Sequence, residues 1–270
     1  MKQIILIGDS AVDHTVYVKT TRLCPEAPVP VVVPLNETRT AGMAGNVLQN
    51  LYSLTGWKET IVVFRPTHDC VKTRYVDDST GYIMLRVDRD AVVEPFNPAA
   101  LVPVLSKSIG AVVVSDYAKG FLNKKNIRAI TKLAGKFDIP VFLDTKMTLG
   151  AWSKDVAYVK INQKEWEHNL KTGCAHPEQC CKYLIVTSAS EGTFLSTRYG
   201  RTFFPVEKVN VADVCGAGDT FLAALVLKHV KNNDICGAIE FANKVASFSV
   251  TKHGIYCVTQ QDLYSLNLVL

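Results

Sequence analysis

The sequence predicts an α/β layered fold: a mostly parallel central sheet with helices on both faces, and a small separate β-sheet lying over it as a lid. Two patterns carry that expectation. Short apolar runs bounded by turn residues recur along the chain and are separated by stretches of helical periodicity, as strands and helices of a layered core are. A second group of segments alternates polar and apolar residues at period two, which suits a half-buried sheet apart from the core. With 270 residues, 48% of them hydrophobic and 20% charged, one core suffices, so the whole of 1–270 is expected to form a single domain.

Taken in order, the candidate buried strands are 4–7, 61–64, 111–114, 141–143, 158–161 and 184–186. The candidate helices on the sheet are 45–54, 124–137 and 163–171, each with the spacing of an amphipathic face. The alternating segments are 15–19, 29–35, 71–76 and 82–88, which puts the lid at about 14–35 and 70–90; Pro28, Pro30 and Pro34 suit its edges. Asp9, Ser115, Asp116, Asp144 and Asn162 each follow an apolar run directly. In open α/β sheets ligands bind outside the carboxyl ends of the strands, so these residues are candidates for a site.

Composition excludes several classes. No stretch approaches the ~18 apolar residues of a membrane span, and the short apolar run at the start meets Asp9 too early for a signal peptide. A cytoplasmic protein with no membrane partner is expected. The eight cysteines are scattered, with Cys180 and Cys181 adjacent, and are expected as reduced thiols. There is no Cys-x-x-Cys pair and the six histidines include no i, i+4 pair, so no structural zinc is expected. A net charge of +5 with dispersed basic residues favours small anionic substrates over nucleic acid.

The most informative stretch is Asp213-Val-Cys-Gly216-Ala217-Gly218-Asp219-Thr220, followed at once by an apolar helix. The first amides of a helix have no internal partner, so Gly216, Ala217 and Gly218 are placed to donate to a phosphate or an oxyanion. A carboxylate beside an anion site is electrostatically unfavourable unless it takes up a proton, which is the general-base role in phosphoryl transfer to a hydroxyl. The alternative is that Asp219 simply stabilises the helix dipole. Two other glycine motifs do not fit: Asp219 stands where a Walker loop needs Lys, and Phe221 where a dinucleotide fingerprint needs its third glycine.

This run resembles the Asp-x-x-Gly-Ala-Gly-Asp signature of the ribokinase-like sugar kinases. Other stretches follow in the matching order: Gly8-Asp9 to Asp13, Arg22-Leu-Cys-Pro25-Glu26-Ala27-Pro28-Val-Pro30, Gly42 to Asn46, Ser115-Asp116-Tyr-Ala-Lys119-Gly120, Asp144-Thr-Lys146, Asn162 to Glu165, Thr187 with Gly192, and Phe241-Ala-Asn243. The second of these resembles the D-glycero-D-manno-heptose 7-phosphate kinase branch. The resemblance covers nearly the whole chain and departs in four places. Met43 and Ala189 stand where the family usually has glycine, Cys215 where it has Thr, and between Asn46 and Lys72 an additional strand and helix are missing.

The resemblance implies roles. Asp13, Gly42, Asn46 and Asp116 line the sugar site, with Lys119 near its floor. Lys72, Arg74 and Arg86 on the lid meet the sugar phosphate, Arg86 having a fork that grips an anion in two places. Asn162 and Glu165 hold Mg2+ through water; the same pair, three apart at a helix start, also matches a helix cap. Thr187 and Gly192 lie beneath the ATP phosphates, and Asn243 with Ser247 near the adenine. Asp144 and Lys146 either join the site or form a local ion pair. The lids of the family also pair between subunits, so a homodimer is expected. The expected activity is ATP- and Mg2+-dependent phosphorylation of heptose 7-phosphate at its anomeric hydroxyl. A kinase for another sugar or a nucleoside, and a non-catalytic sugar-phosphate or ATP binder, are the alternatives. Many members of the branch are fused to an adenylyltransferase carrying His-x-Gly-His; the sequence has no such motif and no such domain is expected.

Overall fold

The computed structural model describes residues 2–56, 60–172 and 176–270. Strand β1 (Gln3–Gly8) is apolar from Ile4 to Ile7 and has neighbours on both sides, pairing in parallel with β4 (Ile61–Phe64) and β7 (Ile109–Asp116). Beyond β7 come β8 (Val141–Thr145), β9 (Tyr158–Asn162) and β10 (Tyr183–Thr187), all parallel, and then the antiparallel β11 (Thr193–Thr197) and β12 (Gly200–Phe204). The sheet order is β12-β11-β10-β9-β8-β7-β1-β4.

Because successive strand residues face opposite sides, β1 splits between two cores. Ile4 and Leu6 pack with α1 (Ala44–Thr55), α4 (Ala217–Asn232), α5 (Ile235–Ser249) and α6 (Gln260–Ser265); Ile5 and Ile7 pack on the opposite face with α2 (Lys124–Gly135) and Trp166 of α3 (Gln163–Thr172). Each buried aliphatic side chain contributes about 1.5–3 kcal/mol, so two such layers fix the sheet firmly. Helix α4 is apolar nearly all round because it is enclosed between the sheet, α1 and α5. None of the helices described is long and apolar enough to cross a membrane.

The second sheet has the order β3-β2-β5-β6 and contains β2 (Ser10–Leu23), β3 (Pro30–Met43), β5 (Cys70–Asp77) and β6 (Ile83–Arg89). Its outer pairs are antiparallel, while β2 and β5 are parallel. Both edge strands are largely solvent-exposed, and Pro30 and Pro34 do lie on an edge strand, β3. The strands run further toward the core than the alternating pattern predicts. β2 starts two residues after β1 ends and β3 runs directly into α1, so the lid is an extension of the core strands.

All six expected core strands and all three expected helices are present. The hairpin β11–β12 and residues 36–43 of β3 are additions, polar enough that no apolar run marks them. Residues 65–69 connect β4 directly to β5, and no helix intervenes among the described residues, as expected of the trimmed segment. A cleft of about 540 Å3 opens beside this link, lined by Phe64, Arg65, His68, Val93, Phe96 and Phe121. None of the candidate site residues lines it.

Candidate active site

Gly216 starts α4 from a left-handed conformation, φ 80°, and a side chain there would put its Cβ 2.7 Å from the Asn46 amide nitrogen. Glycine satisfies both demands. Asp219 sits in the first turn, buried, with both carboxylate oxygens engaged. Asn46 Nδ2 donates to Oδ2 at 2.8 Å and the Tyr117 hydroxyl donates to Oδ1 at 2.8 Å. Burial pushes this carboxyl up to about 6, against the two hydrogen bonds, which lower it. Such a group is ionised at neutral pH yet basic enough to take a proton.

The Asn46 amide is oriented by a directional chain. Thr220 donates to Asn50 Oδ1 at 2.9 Å, Asn50 Nδ2 donates to Asn46 Oδ1 at 3.1 Å, and this turns Asn46 Nδ2 toward Asp219. Asn46 therefore meets the carboxylate itself. Of the three proposed anion-binding amides, that of Ala217 makes a turn bond to the Val214 carbonyl at 3.3 Å. Gly218 lies against Lys160, whose Nζ would stand 2.9 Å from a Cβ at that position.

Sequence reasoning missed Tyr117 as a member of the site. It directly follows the carboxyl end of β7, and its loop is tied down by buried carboxylates. Asp9 Oδ2 accepts from the amides of Tyr117 and Lys119 at 2.8 and 3.2 Å. Asp116 accepts from the Ala118 amide and the Thr145 hydroxyl. Burial raises both acids. Asp116 thus shapes the turn with both oxygens, and Lys119 reaches outward to Asp90 at 2.7 Å.

Asp144 and Lys146 do not pair with each other. Asp144 forms a buried ion pair with Lys160 at 2.7 Å, and Lys146 pairs with Glu165. Asn162 and Glu165 form a reciprocal helix cap: each backbone amide donates to the other's side chain, at 2.8 and 2.9 Å. Among the described residues no three His, Cys, Asp or Glu side chains cluster as a metal cage. Both Glu165 oxygens are already engaged, one by Lys146 and one by the Asn162 amide, so a Mg2+ ion here would be met through its waters and the substrate phosphates.

The lid carries a charged face. Asp13 Oδ1 accepts from Arg74 Nη1 at 2.6 Å, and a Cβ at Gly42 would stand 2.3 Å from the other Asp13 oxygen, so only glycine leaves that carboxylate room. Arg74 is directly opposite Arg86 on β6, and Lys72 is opposite Asp88. Arg86 grips Asp88 through two bonds of 2.7 and 2.8 Å. Lys72 Nζ lies 5.7 Å from the centre of the Tyr117 ring. The Cys215 thiol is raised mainly by burial and Asp213, and the charges of Arg74 and Asp13 act on it as well. The lid's charged face therefore stands close to the Gly216 turn.

Thr187 ends β10, where its hydroxyl makes a long bond, 3.5 Å, to the Ile161 carbonyl. Gly192 has φ 120° and closes the following turn. Asn243 is buried, accepting from the Thr193 hydroxyl at 2.7 Å and donating to the Phe204 carbonyl at 3.4 Å, which ties α5 to β11 and β12. Ser247, one helical turn further on, is half-buried. Met43 and Ala189, where the family pattern has glycine, keep the glycine-like conformations φ 57° and φ 44°. Such a strained backbone costs an ordinary residue about 1–3 kcal/mol, and the buried Met43 side chain, packed with Ala11, Cys70 and Tyr117, offsets it.

A buried carboxylate at a helix start, an adjacent lid bearing arginines and a parallel sheet ending beneath both agree with what the chain is similar to. Residues 73–261 match the pfkB family carbohydrate kinases. A curated relative, the bifunctional protein HldE of Campylobacter curvus, is 31% identical over 93% of this chain and 62% of its own length. The chain spans about 62% of the length of the first such relatives. Among solved structures, ribokinase from Thermotoga maritima superposes with a TM-score of 0.75 at 16% identity, covering 99% of both chains. Ribokinase of Arabidopsis thaliana complexed with ribose and ATP gives 0.72 at 15%, covering 98% of both chains. At such low identity these two structures establish the fold, while the family match extends over most of the sequence. The chain belongs to the pfkB family of carbohydrate kinases and is an enzyme of that class.

Proposed function

We propose that the protein transfers the γ-phosphoryl group of ATP to the anomeric hydroxyl of D-glycero-D-manno-heptose 7-phosphate, giving the 1,7-bisphosphate and ADP. The observation that carries the substrate choice is the facing pair Arg74 and Arg86 beside Lys72 on the lid surface nearest the base. Like charges directly opposite on neighbouring strands destabilise a sheet, and Asp13 and Asp88 each neutralise one arginine here. A phosphate on the sugar would supply the shared anion. Similarity to relatives named HldE favours the same branch.

Asp219 would accept the proton of the acceptor hydroxyl as its oxygen attacks phosphorus, and the first-turn amides of α4 with Lys160 would meet the charge on the transferred group. Asn162 and Glu165 would hold Mg2+ through water, where the metal neutralises phosphate charge. Thr187 and Gly192 would lie under the ATP phosphates, with Asn243 and Ser247 toward the adenine. The lid would also serve a homodimer. Exposed Val33 and Leu35 on β3 and Ile83, Leu85 and Val87 on β6 give it uncovered apolar surface, which sedimentation would test. We place the enzyme in the cytoplasm.

The deciding experiment is an ADP-release assay with heptose 7-phosphate, the free heptose, other sugar phosphates, free sugars and nucleosides, with the product identified by 31P NMR. Heptose 7-phosphate should be the best acceptor, and these 270 residues should yield bisphosphate and no sugar nucleotide. Faster turnover of a free sugar or nucleoside would favour the second reading, a different acceptor, in which Met43 and the trimmed segment before Lys72 would have remodelled the pocket.

A further inference from the structure

The base has two hydrogen-bond donors, and one of them has no place in the reading above. The Tyr117 hydroxyl reaches Asp219 Oδ1 at 2.8 Å, opposite the bond from Asn46 to Oδ2. The ring is fixed from several directions. Its amide is bound by Asp9, Met43 packs in the same small cluster, and Lys146 and Lys72 stand 5.1 and 5.7 Å from its centre. Lys146 comes from the end of β8 and Lys72 from the lid, so the ring lies between the core and the lid.

We propose that Tyr117 is a positioning residue for phosphoryl transfer, its hydroxyl holding the Asp219 carboxylate in one orientation and in its ionised form so that the base stands ready at neutral pH. The proposal rests on Asp219 being the base. A buried carboxylate in an apolar environment protonates unless donors compensate it. Burial alone would push Asp219 further up, and Asn46 and Tyr117 are the two hydrogen-bond donors that oppose it. Tyr117 itself is raised well above the usual tyrosine range, first by burial and then by the Asp219 charge, so it keeps its proton and remains a donor.

Other charged or titratable groups also face Asp219. Asp144 on β8 raises it, Lys160 on β9 lowers it, and Lys146 and the Cys257 thiol feel its charge. None of these changes when the hydroxyl alone is removed, so Tyr117→Phe isolates the hydrogen bond while keeping the ring between its two lysines.

Two readouts test this. In Tyr117→Phe the acid limb of the kcat/KM profile should move upward from near 6 by about one pH unit or more, with the loss greatest below pH 7 and partly recovered above it. The Asp219 carboxyl carbon, followed by 13C NMR and assigned by its loss in Asp219→Asn, should shift its midpoint in the same direction without any substrate present. That second measurement stands even if heptose 7-phosphate is not the acceptor. Replacing Tyr117 alone by 3-fluorotyrosine, a stronger donor of nearly the same size, should move both midpoints downward, which a folding defect would not do. A uniform loss at every pH with unmoved midpoints would reduce Tyr117 to a structural role and overturn the proposal. A moved carboxyl midpoint with an unmoved rate profile would also overturn it, by showing that Asp219 does not limit the rate as a base.

Discussion

Asp219 is costly to the fold at neutral pH. Its carboxyl is raised from an ordinary 3.8 to about 6, so between those values the folded protein binds more protons than the unfolded chain. Stability therefore falls as pH rises through that window, and the deficit is fully present above 6, on the order of 3 kcal/mol. Asp219→Asn removes the charge while its amide can still accept from Asn46 and donate to the Tyr117 oxygen. The variant should melt higher than wild type at pH 7, with the gain vanishing near pH 4, while turnover drops by about 10² or more. Calorimetry across pH and a steady-state assay check the two halves. Equal melting temperatures at pH 7 would show that the carboxylate is not desolvated, and near-normal turnover would remove it as the base. Breaking the buried Lys160–Asp144 ion pair should destabilise instead. Lys160→Met should cost about 3–5 kcal/mol by stranding a buried carboxylate, and adding Asp144→Leu should recover much of that loss in denaturant titrations.

Five of the six core strands could be identified from an unbroken apolar run, and β9 from one that only Lys160, paired with Asp144, interrupts. The hairpin β11–β12 and the polar end of β3 lack that signature and take their strand form from pairing with neighbours. At the site, the start of α4 was visible because Gly216, Ala217, Gly218 and Asp219 are contiguous. Tyr117 was not, because its bond to Asp219 joins residues 102 apart and only the β7–α4 contact creates it. Its place directly after Asp116 at a strand end was the available signal. The cap formed by Asn162 and Glu165 was readable from their spacing, whereas the partners of Asp144 and Lys146 depend on which strands are neighbours in space. The turn at Gly216 gives a prediction of its own. Gly216→Ala combines about 1–2 kcal/mol of left-handed strain with a Cβ 2.7 Å from Asn46 Nδ2. It should lower kcat beyond its effect on stability, because the group displaced is the one that aims the base; a loss of stability with kcat unchanged would break that link.

The decisive arrangement is a two-layer core that ends in the buried Asp219 carboxylate, with a half-exposed charged sheet grown from its own strands. The core supplies Asp219, Asn46 and Tyr117; the lid supplies Asp13, Lys72, Arg74 and Arg86. Arg74 is tied to Asp13 with both partners mostly buried, whereas Arg86 and Asp88 are about half exposed, so Arg86 is the arginine more easily recruited by an incoming anion. An exposed ion pair contributes about 0–1 kcal/mol, so exchanging Asp88 for a substrate phosphate loses little. A charge-assisted contact to a bound phosphate is worth about 1.5–3 kcal/mol, so Arg86→Ala should reduce kcat/KM on the phosphorylated sugar by roughly tenfold to a hundredfold. On the unphosphorylated sugar the same variant should change little, since no anion is left to hold, and its melting temperature should stay near that of wild type. Equal losses on both sugars would instead make Arg86 a structural member of the lid and move the phosphate site away from the Arg74–Arg86 pair.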